Sequence, residues 1–291
     1  MKKLSLLTLI LAASAAWAQF HYTSLDFPGG DITTARGINN RGDIVGTYRI
    51  PTAPPRHALL IHHGQYLPLA PSTLLGTYYS EAFKSNDRGD VVGVYIGDDD
   101  LTHGFLLRGG SVTTLDFPGA TDTYAYGINS SGTVVGYWDI LDALGNVLVY
   151  HGFLWKNGAF SEVNFPGSGD SAVLGINAAG DYVGVWDSGV TSPTGHGFLN
   201  SKGQFTSFDF PGATVTQADD INEPGRIVGT YIDASGAIHG FLKIHDAYSA
   251  IDFPGAPSTL AWGINNKGQI VGVHRDTVGG LPRGFIASQD Q

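Results

Sequence analysis

Cysteine is absent from this 291-residue sequence, and basic residues are scarce in it. Without cysteine the chain can form neither a disulfide framework nor a cysteine-based zinc or iron–sulfur site. The 16 Lys and Arg residues are outnumbered by 26 Asp and Glu residues, which gives a formal net charge of −10. Because binding driven by phosphate charge needs a basic surface, the composition excludes that class of nucleic-acid-binding protein.

Glycine and apolar residues are abundant by comparison. The chain holds 41 Gly, 42 % hydrophobic residues and 11 % aromatic residues. So much glycine argues against a helical bundle, and so large an apolar fraction argues against disorder. No Gly-x-Ser-x-Gly elbow, His-Glu-x-x-His pair or phosphate-binding loop occurs in the sequence. The composition therefore favours a glycine-rich β protein without a recognisable catalytic motif.

The first 18 residues have the pattern of a secretion signal peptide. Lys2 and Lys3 precede an apolar run, and the sequence Ala16-Trp17-Ala18 has the small-x-small form of a cleavage site. The run is too short to span a membrane, and no later stretch reaches the required length of about 18–20 apolar residues. We therefore expect a secreted or periplasmic mature chain, residues 19–291, without a membrane span.

Four short motifs recur along the rest of the chain at a period of about 45 residues. Asp-Phe-Pro-Gly begins at Asp26, Asp116, Asp209 and Asp252, with a variant at Asn164. Gly-Ile-Asn begins at Gly37, Gly127, Gly175 and Gly263, with a variant at Asp220. Gly-x-(Ile/Val/Tyr)-Val-Gly begins at Gly42, Gly89, Gly132, Gly180, Gly225 and Gly268. His-Gly-Phe-Leu begins at His103, His151, His196 and His239, and the second repeat carries Phe83-Lys84-Ser85-Asn86 in place of Gly-Ile-Asn.

A period of this length built of short β segments predicts one four-stranded propeller blade per repeat. The motif Gly-x-(Ile/Val/Tyr)-Val-Gly, which we call the Val-Gly motif, occurs in six copies and therefore predicts six blades. The sequence thus predicts an all-β, six-bladed β-propeller over residues 19–291. The last repeat ends without a fourth strand, whereas residues 20–27, which precede the first complete repeat, have the pattern of a fourth strand without a blade of its own. We therefore expect the N-terminal strand to complete the last blade and close the ring, which removes an exposed sheet edge.

These motifs resemble those of the bacterial extracellular repeat proteins called the HAF family, after a His-Ala-Phe motif. The resemblance covers essentially the whole mature chain. Most copies in this chain have Gly in place of Ala, and Arg283 stands where the last His is expected. The resemblance implies an exported, propeller-like protein and brings no established catalytic residues with it.

A propeller places the connections between its second and third strands on the face that also carries the links between blades. The longer and more irregular connections of this chain fall there, at residues 49–56, 96–102, 139–150, 187–195 and 275–282. Binding residues concentrate in variable loops on a rigid frame, so this face is the expected site. The recurring histidines are instead expected to pack and bond within their own blades, although a ring of metal ligands is the alternative.

Two sets of residues on or near that face vary between repeats, and they are the candidate ligand-binding residues. The first set precedes Gly-Ile-Asn on the innermost strand and includes Arg36, Tyr126, Asp219 and Trp262. The second set ends the second strand and includes Trp138, Trp186, Tyr231 and His274. Aromatic rings beside carboxylates suit carbohydrate, whereas the near-regular recurrence of the second set also fits packing between blades.

Three functions remain open from the sequence. The first is an exported binding module for an extracellular glycan or protein, expected to be a monomer. The second is a polysaccharide-acting glycosidase or lyase, for which Asp219 is the candidate catalytic acid. The third is a structural surface component. No cofactor is expected, although Asp98, Asp99 and Asp100 are a candidate Ca²⁺ site and are otherwise a solvated acidic loop.

Overall fold

The computed structural model describes residues 20–69, 79–187 and 195–289. The segment predicted as a signal peptide, residues 1–18, lies outside them. The described residues form 24 strands in six antiparallel sheets of four. The all-β prediction is confirmed.

Each sheet is one blade, and the strands of blades 1 to 5 follow one another along the chain. Blade 1 holds β2 (Ile32–Ile38), β3 (Ile44–Ile50), β4 (Ala53–His62) and β5 (Gln65–Pro68). Blade 2 holds β6 (Tyr79–Ser85), β7 (Val91–Ile96), β8 (Thr102–Arg108) and β9 (Ser111–Leu115). Blade 3 holds β10 (Asp122–Ile128), β11 (Val134–Leu141), β12 (Val147–Lys156) and β13 (Ala159–Val163). Blade 4 holds β14 (Asp170–Ile176), β15 (Tyr182–Asp187), β16 (His196–Ser201) and β17 (Gln204–Phe208). Blade 5 holds β18 (Val215–Ile221), β19 (Ile227–Ile232), β20 (Ile238–Ile244) and β21 (Ala247–Ile251). Blade 6 holds β22 (Ser258–Ile264), β23 (Ile270–Arg275), β24 (Arg283–Gln289) and, as its outer strand, β1 (Phe20–Leu25).

The first strand of each complete repeat lines the centre of the molecule. Each of these six inner strands contacts the next, and β22 contacts β2, so the blades form a closed ring. The N-terminal strand β1 pairs antiparallel with β24 from Phe20 opposite Gln289 to Leu25 opposite Gly284. The predicted six-bladed propeller and its closure by the N-terminal strand are therefore confirmed.

The repeated motifs build the core between the blades. The Phe of His-Gly-Phe-Leu is fully buried in each copy, at Phe105, Phe153, Phe198 and Phe241, and Phe285 replaces it in blade 6. Phe105 lies directly opposite Gly93 of the neighbouring strand. A Cβ at Gly93 would lie 1.9 Å from the carbonyl oxygen of Glu81 and 2.8 Å from the Phe105 ring. The Val-Gly motif thus makes room for the buried ring beside it.

The ring has two different faces. The turn face carries the short turns after the inner strands, in which a glycine at positive φ, such as Gly42 at 92°, donates to the carbonyl of Asn39. The loop face is the opposite one, and the inner strands begin there. Its connections are partly more regular than predicted, because β11 and β12 extend their hairpin until only residues 142–146 join them. Asp142 ends this hairpin by accepting the backbone N–H groups of Leu144 and Asn146.

Candidate functional site

The aromatic residues that end each second strand stack on other rings of their own blades. Tyr231 stacks on Phe210 with ring centroids 3.7 Å apart, and it also stacks on His239 at 4.9 Å. A Phe of the preceding turn stacks in the same way on Tyr48, Trp138, Trp186 and His274. Trp138, Tyr231 and His274 are 9 %, 8 % and 2 % exposed, whereas Trp186 is half-buried. The candidate platforms Trp138, Trp186, Tyr231 and His274 are therefore used for packing, and we do not place a ligand on them.

The recurring histidines bond within their own blades. His103, His196 and His239 each place Nδ1 within 2.9 to 3.0 Å of the aspartate that begins the Asp-Phe-Pro-Gly turn. Where that aspartate is replaced by Asn164, His151 bonds to Glu162 instead. These contacts tie the third strand of a blade to its fourth, which is the structural role expected from the repetition.

The residues that vary before Gly-Ile-Asn converge on the central channel. Each inner strand carries a β-bulge at this position, and a bulge re-aims a side chain. The guanidinium carbon of Arg36 lies 3.8 Å from the centroid of the Trp262 ring, and Phe83 stacks on Tyr126 at 4.3 Å. Asp219 lies beside them. The structure therefore brings together the candidates Arg36, Tyr126, Asp219 and Trp262.

Sequence reasoning missed a second feature of this channel cluster. Lys84 and Asp220 stand where other repeats have the Gly of Gly-Ile-Asn. They belong to blades 2 and 5, which lie opposite each other in the ring, and Lys84 Nζ lies 2.8 Å from Asp220 Oδ2 across the channel. The cavity left beside Lys84 and the converging side chains is about 10 Å³, which is room for about one water. At the level of these side chains the channel is therefore too narrow for a saccharide.

Asp219 is buried in this channel cluster at 5 % exposure. Its Oδ1 accepts a hydrogen bond of 2.7 Å from the Gln217 side-chain amide. Burial is the largest cause of a pKa raised to about 7, while Gln217, Lys84 and Arg36 act in the opposite direction. The raised pKa of Asp219 is what a general acid needs, but the cavity beside Asp219 is too small for a substrate.

On the turn face, six asparagines form an asparagine belt around the channel. Each side-chain amide donates to the backbone carbonyl of its counterpart in the next blade, and the last donates to the first. The belt runs through Asn39, Asn86, Asn129, Asn177, Asn222 and Asn265. The side-chain oxygens accept backbone N–H groups of their own turns, as Asn39 Oδ1 does from Asp43. The belt encloses a cavity of about 370 Å³, but its amide groups are already occupied.

On the loop face, a second cavity of about 340 Å³ opens between blades 3 and 4. This tyrosine pocket is lined by Tyr124, Tyr126, Tyr137, Asp139, Val147, Tyr150, Ala172, Leu174, Val185 and Gln217. The Tyr137 ring lies next to the other three tyrosine rings, with its centroid 4.5 Å from Tyr124, 5.7 Å from Tyr126 and 6.1 Å from Tyr150. Tyr137 and Tyr150 meet at 68°, so the pocket offers rings at a corner as well as in a stack.

Asp139 places a carboxyl group in the wall of this pocket. The residue is 4 % exposed, and its Oδ1 is buried without a hydrogen-bond partner among the described residues. Burial raises the Asp139 pKa to about 6, and the charge of Asp122, directly opposite it in the β10–β11 register, adds to this effect. An unpaired buried acceptor is costly, and Asp139 belongs to the lining of a cavity wide enough for a ligand.

The sequence held a signal for the tyrosine pocket that the motif comparison did not use. Blade 3 alone has tyrosine at all three positions equivalent to Tyr124, Tyr137 and Tyr150. Positions equivalent to Tyr124 carry Thr34, Glu81, Ala172, Gln217 and Leu260. Positions equivalent to Tyr137 carry Thr47, Val94, Val185, Thr230 and Val273. Positions equivalent to Tyr150 carry Arg56, Thr102, Gly195, Ile238 and Pro282. Because the other five blades fold without tyrosine at these positions, the three tyrosines of blade 3 are not needed to build a blade and are candidates for a function.

The acidic loop after β7 has a partner inside the protein. Asp99 Oδ1 lies 3.1 Å from His103 Nε2, and it also accepts the backbone N–H of Leu101. Among residues 20–69, 79–187 and 195–289, no group of three or more His, Cys, Asp or Glu side chains is arranged to hold a metal ion. Calcium binding by Asp98, Asp99 and Asp100 stays a prediction.

In the same ranges, no helix is long and apolar enough to cross a membrane. Neither the family models nor the curated proteins contain a match to this chain. Solved structures do match it.

Three of the matching structures are a propeller domain, a lectin and a protein of unknown function. The β-propeller domain of the Trilobed protease from Pyrococcus furiosus matches with a TM-score of 0.54 and 11 % identity, over 89 % of this chain and 83 % of that one. A Dyadobacter fermentans protein of unknown function matches with a TM-score of 0.56 and 11 % identity, over 92 % of this chain and 98 % of that one. The lectin of Aleuria aurantia matches with a TM-score of 0.52 and 9 % identity, over 91 % of this chain and 93 % of that one. It is described as a six-bladed β-propeller with a novel fucose recognition mode. At such low sequence identities the similarity concerns the fold alone. This chain and the Aleuria aurantia lectin both fold as six-bladed β-propellers.

Proposed function

We propose that this chain is an exported carbohydrate-binding propeller that takes a sugar unit in the tyrosine pocket. One observation carries the proposal: rings of Tyr124, Tyr126, Tyr137 and Tyr150 border a cavity of about 340 Å³ that opens on the loop face. Sugars lay their apolar faces on aromatic rings while their hydroxyls bond polar groups. Asp139 and Gln217 supply polar groups in the same wall.

Two further observations support this function. The lectin from Aleuria aurantia is a fucose-binding protein on the same fold, so a propeller of this size and blade number can serve sugar recognition. The motifs that resemble the HAF family and the signal-like N-terminus support export, as a secreted or periplasmic protein. An extracellular glycan is then the partner, and the pocket lies within one chain, so a monomer suffices.

The proposal is tested by titrating the purified chain with a panel of oligosaccharides in a calorimeter. We expect saturable binding to at least one of them and a loss of about tenfold or more in affinity for Tyr137→Ala, which removes the central ring. Tyr182→Ala is the matched control, because Tyr182 packs on Phe198 and Phe205 instead of lining the pocket. Unchanged binding by Tyr137→Ala would show that the sugar lies elsewhere.

A second function, cleavage of polysaccharide, is favoured by the protonation of two carboxyl groups. The pKa of Asp139 is raised to about 6 and that of Asp219 to about 7, which suits a general acid near neutral pH. Asp139 is the better placed because it borders the open pocket. New reducing ends released by the purified chain, and their loss in Asp139→Asn, would establish this activity. Binding without release would leave the lectin-like function alone.

A further inference from the structure

The tyrosine pocket is acidic as well as aromatic. Of the described residues that line it, Asp139 alone carries a charge. Behind the wall stand three more carboxylates. Asp122 faces Asp139 across β10 and β11, Asp170 accepts the backbone N–H of Tyr150, and Asp187 accepts the Tyr150 hydroxyl at 2.7 Å. A ligand that enters therefore has carboxylates behind the β11 and β12 side of the pocket, whereas the Arg36 guanidinium acts on Tyr126 and Tyr137 from the channel side.

The rings add a second attraction for positive charge. The face of an aromatic ring carries negative electrostatic potential and attracts ammonium groups, and the attraction grows when water is excluded. Tyr124 and Tyr137 lie in a stack, and Tyr150 stands at 68° to Tyr137. Asp139 belongs to the lining of the same pocket as these rings. Rings and carboxylate therefore favour the same kind of ligand.

We infer that the saccharide bound in the tyrosine pocket is an amino sugar with a free ammonium group, which pairs with Asp139. The inference rests on the proposed carbohydrate-binding function and names its ligand class. The pyranose ring stacks on tyrosine, and the ammonium donates hydrogen bonds to the Asp139 carboxylate, whose Oδ1 is buried and unpartnered before the ligand enters. Rotation about the terminal torsion of Asp139 is soft, so either carboxylate oxygen can accept the bond.

Other ligand classes fit the observations less well. An acidic sugar would place its carboxylate against Asp139 and Asp122. A neutral sugar would leave the charge of Asp139 without a counter-ion in a buried wall, which is costly. A quaternary ammonium suits the rings, but it has no N–H to donate, so Asp139 Oδ1 would stay unpaired. A protonated primary amine satisfies both the rings and the carboxylate.

The test compares two ligands that differ only at the nitrogen, a glucosamine tetramer and an N-acetylglucosamine tetramer. We expect the purified full chain at neutral pH to bind the glucosamine tetramer at least about tenfold more tightly. Added salt should weaken that binding by screening the ion pair. Asp139→Asn should remove the preference. Asp246→Asn, which removes the same charge from the exposed turn between β20 and β21, should keep it.

Each outcome decides between the two proposals. Equal or tighter binding of the N-acetylated tetramer overturns the amino-sugar inference and leaves carbohydrate binding standing. Equal affinity for tetramethylammonium, which lacks both the sugar ring and the N–H groups, also overturns it. If no saccharide in the panel binds, the proposed function itself fails. A thermal unfolding curve verifies that Asp139→Asn is folded, and the two-ligand comparison in the unmodified chain decides the inference independently of that variant.

Discussion

At the scale of single residues, the exceptions to the repeat carry more information than the repeat. Four of the six inner strands have glycine before Ile-Asn, where neighbouring inner strands approach closely, and a Cβ at Gly37 would lie 2.5 Å from the carbonyl oxygen of Phe83. Lys84 and Asp220 replace that glycine in opposite blades and neutralise each other across the channel. Two substitutions that look like degeneration in the sequence are thus a matched pair.

The pair predicts a strong coupling between distant repeats. Lys84→Met leaves the charge of Asp220 buried, and we expect it to lower the free energy of unfolding by about 3–5 kcal/mol. Asp220→Asn should also destabilise, and the double variant should lose at least about 1 kcal/mol less than the two single losses together. Urea denaturation of the four proteins measures this cycle. If the two single losses add up to the loss of the double variant, Lys84 and Asp220 do not interact across the channel.

We expect the buried carboxyl group of Asp219 to make the folded chain less stable as the pH rises. An ordinary ion-paired carboxylate has the opposite effect on stability. Its pKa is raised from 3.8 to about 7 in the folded chain, so folding favours the protonated form. The stability that this contributes is complete below pH 4 and is lost as the pH rises through 7. Asp219→Asn should therefore raise the thermal midpoint at pH 8 and leave it unchanged at pH 4.

The control for this experiment is Asp246→Asn, since Asp246 is exposed in the turn between β20 and β21. It should leave the midpoint nearly the same at both pH values. A lower midpoint for Asp219→Asn at pH 8 would show that Asp219 is ionised and needed there.

At the scale of the strand, the bulge in each inner strand decides which residue enters the channel. The sequence could predict that Arg36, Asp219 and Trp262 form one ring, because they hold equivalent positions in different repeats. It could not predict that these side chains fill the channel, because filling depends on their combined volume and on the reach of Lys84. The tyrosine pocket was missed for a related reason, since its wall combines three strands of one blade with residues from two others.

The fold was predicted more completely than the site because it follows from features that recur. Strand order, blade number and ring closure are all repeated or directly implied by what is repeated. The sequence also left two roles open for the residues that end each second strand, ligand platform and packing. A ring such as Tyr231 can be assigned to packing only when its contacts with Phe210 and His239 are seen.

The stack and the ion pair of blade 5 are expected to differ in strength. Tyr231→Ala removes a buried ring from between Phe210 and His239 and should cost about 3–5 kcal/mol of unfolding free energy. Asp252→Asn removes the exposed partner of His239 and should cost about 1 kcal/mol or less. Urea unfolding checks both values. A larger loss for Asp252→Asn would show that the ion pair, and not the stack, secures the blade.

At the scale of the whole molecule, strand β1 joins the two ends of the chain. Removing residues 20–25 leaves the edge of β24 unpaired, and exposed edges recruit other strands. We expect a lower thermal midpoint together with dimers or larger species in light scattering. A synthetic peptide with the sequence of β1, Phe-His-Tyr-Thr-Ser-Leu, should restore the midpoint and the monomer. An unchanged midpoint after the deletion would contradict closure by this strand.

The asparagine belt has a consequence for the way the protein loses its structure. A linear array of repeats can fray from its terminal units, because each unit depends only on its neighbours. In the belt Asn265 donates to Asn39 as the other asparagines donate to their neighbours, so the array has no terminal unit. Melting one blade breaks the belt on both sides at once. The six repeats should therefore unfold in a single cooperative transition, and amide hydrogen exchange should show similar protection in all the inner strands.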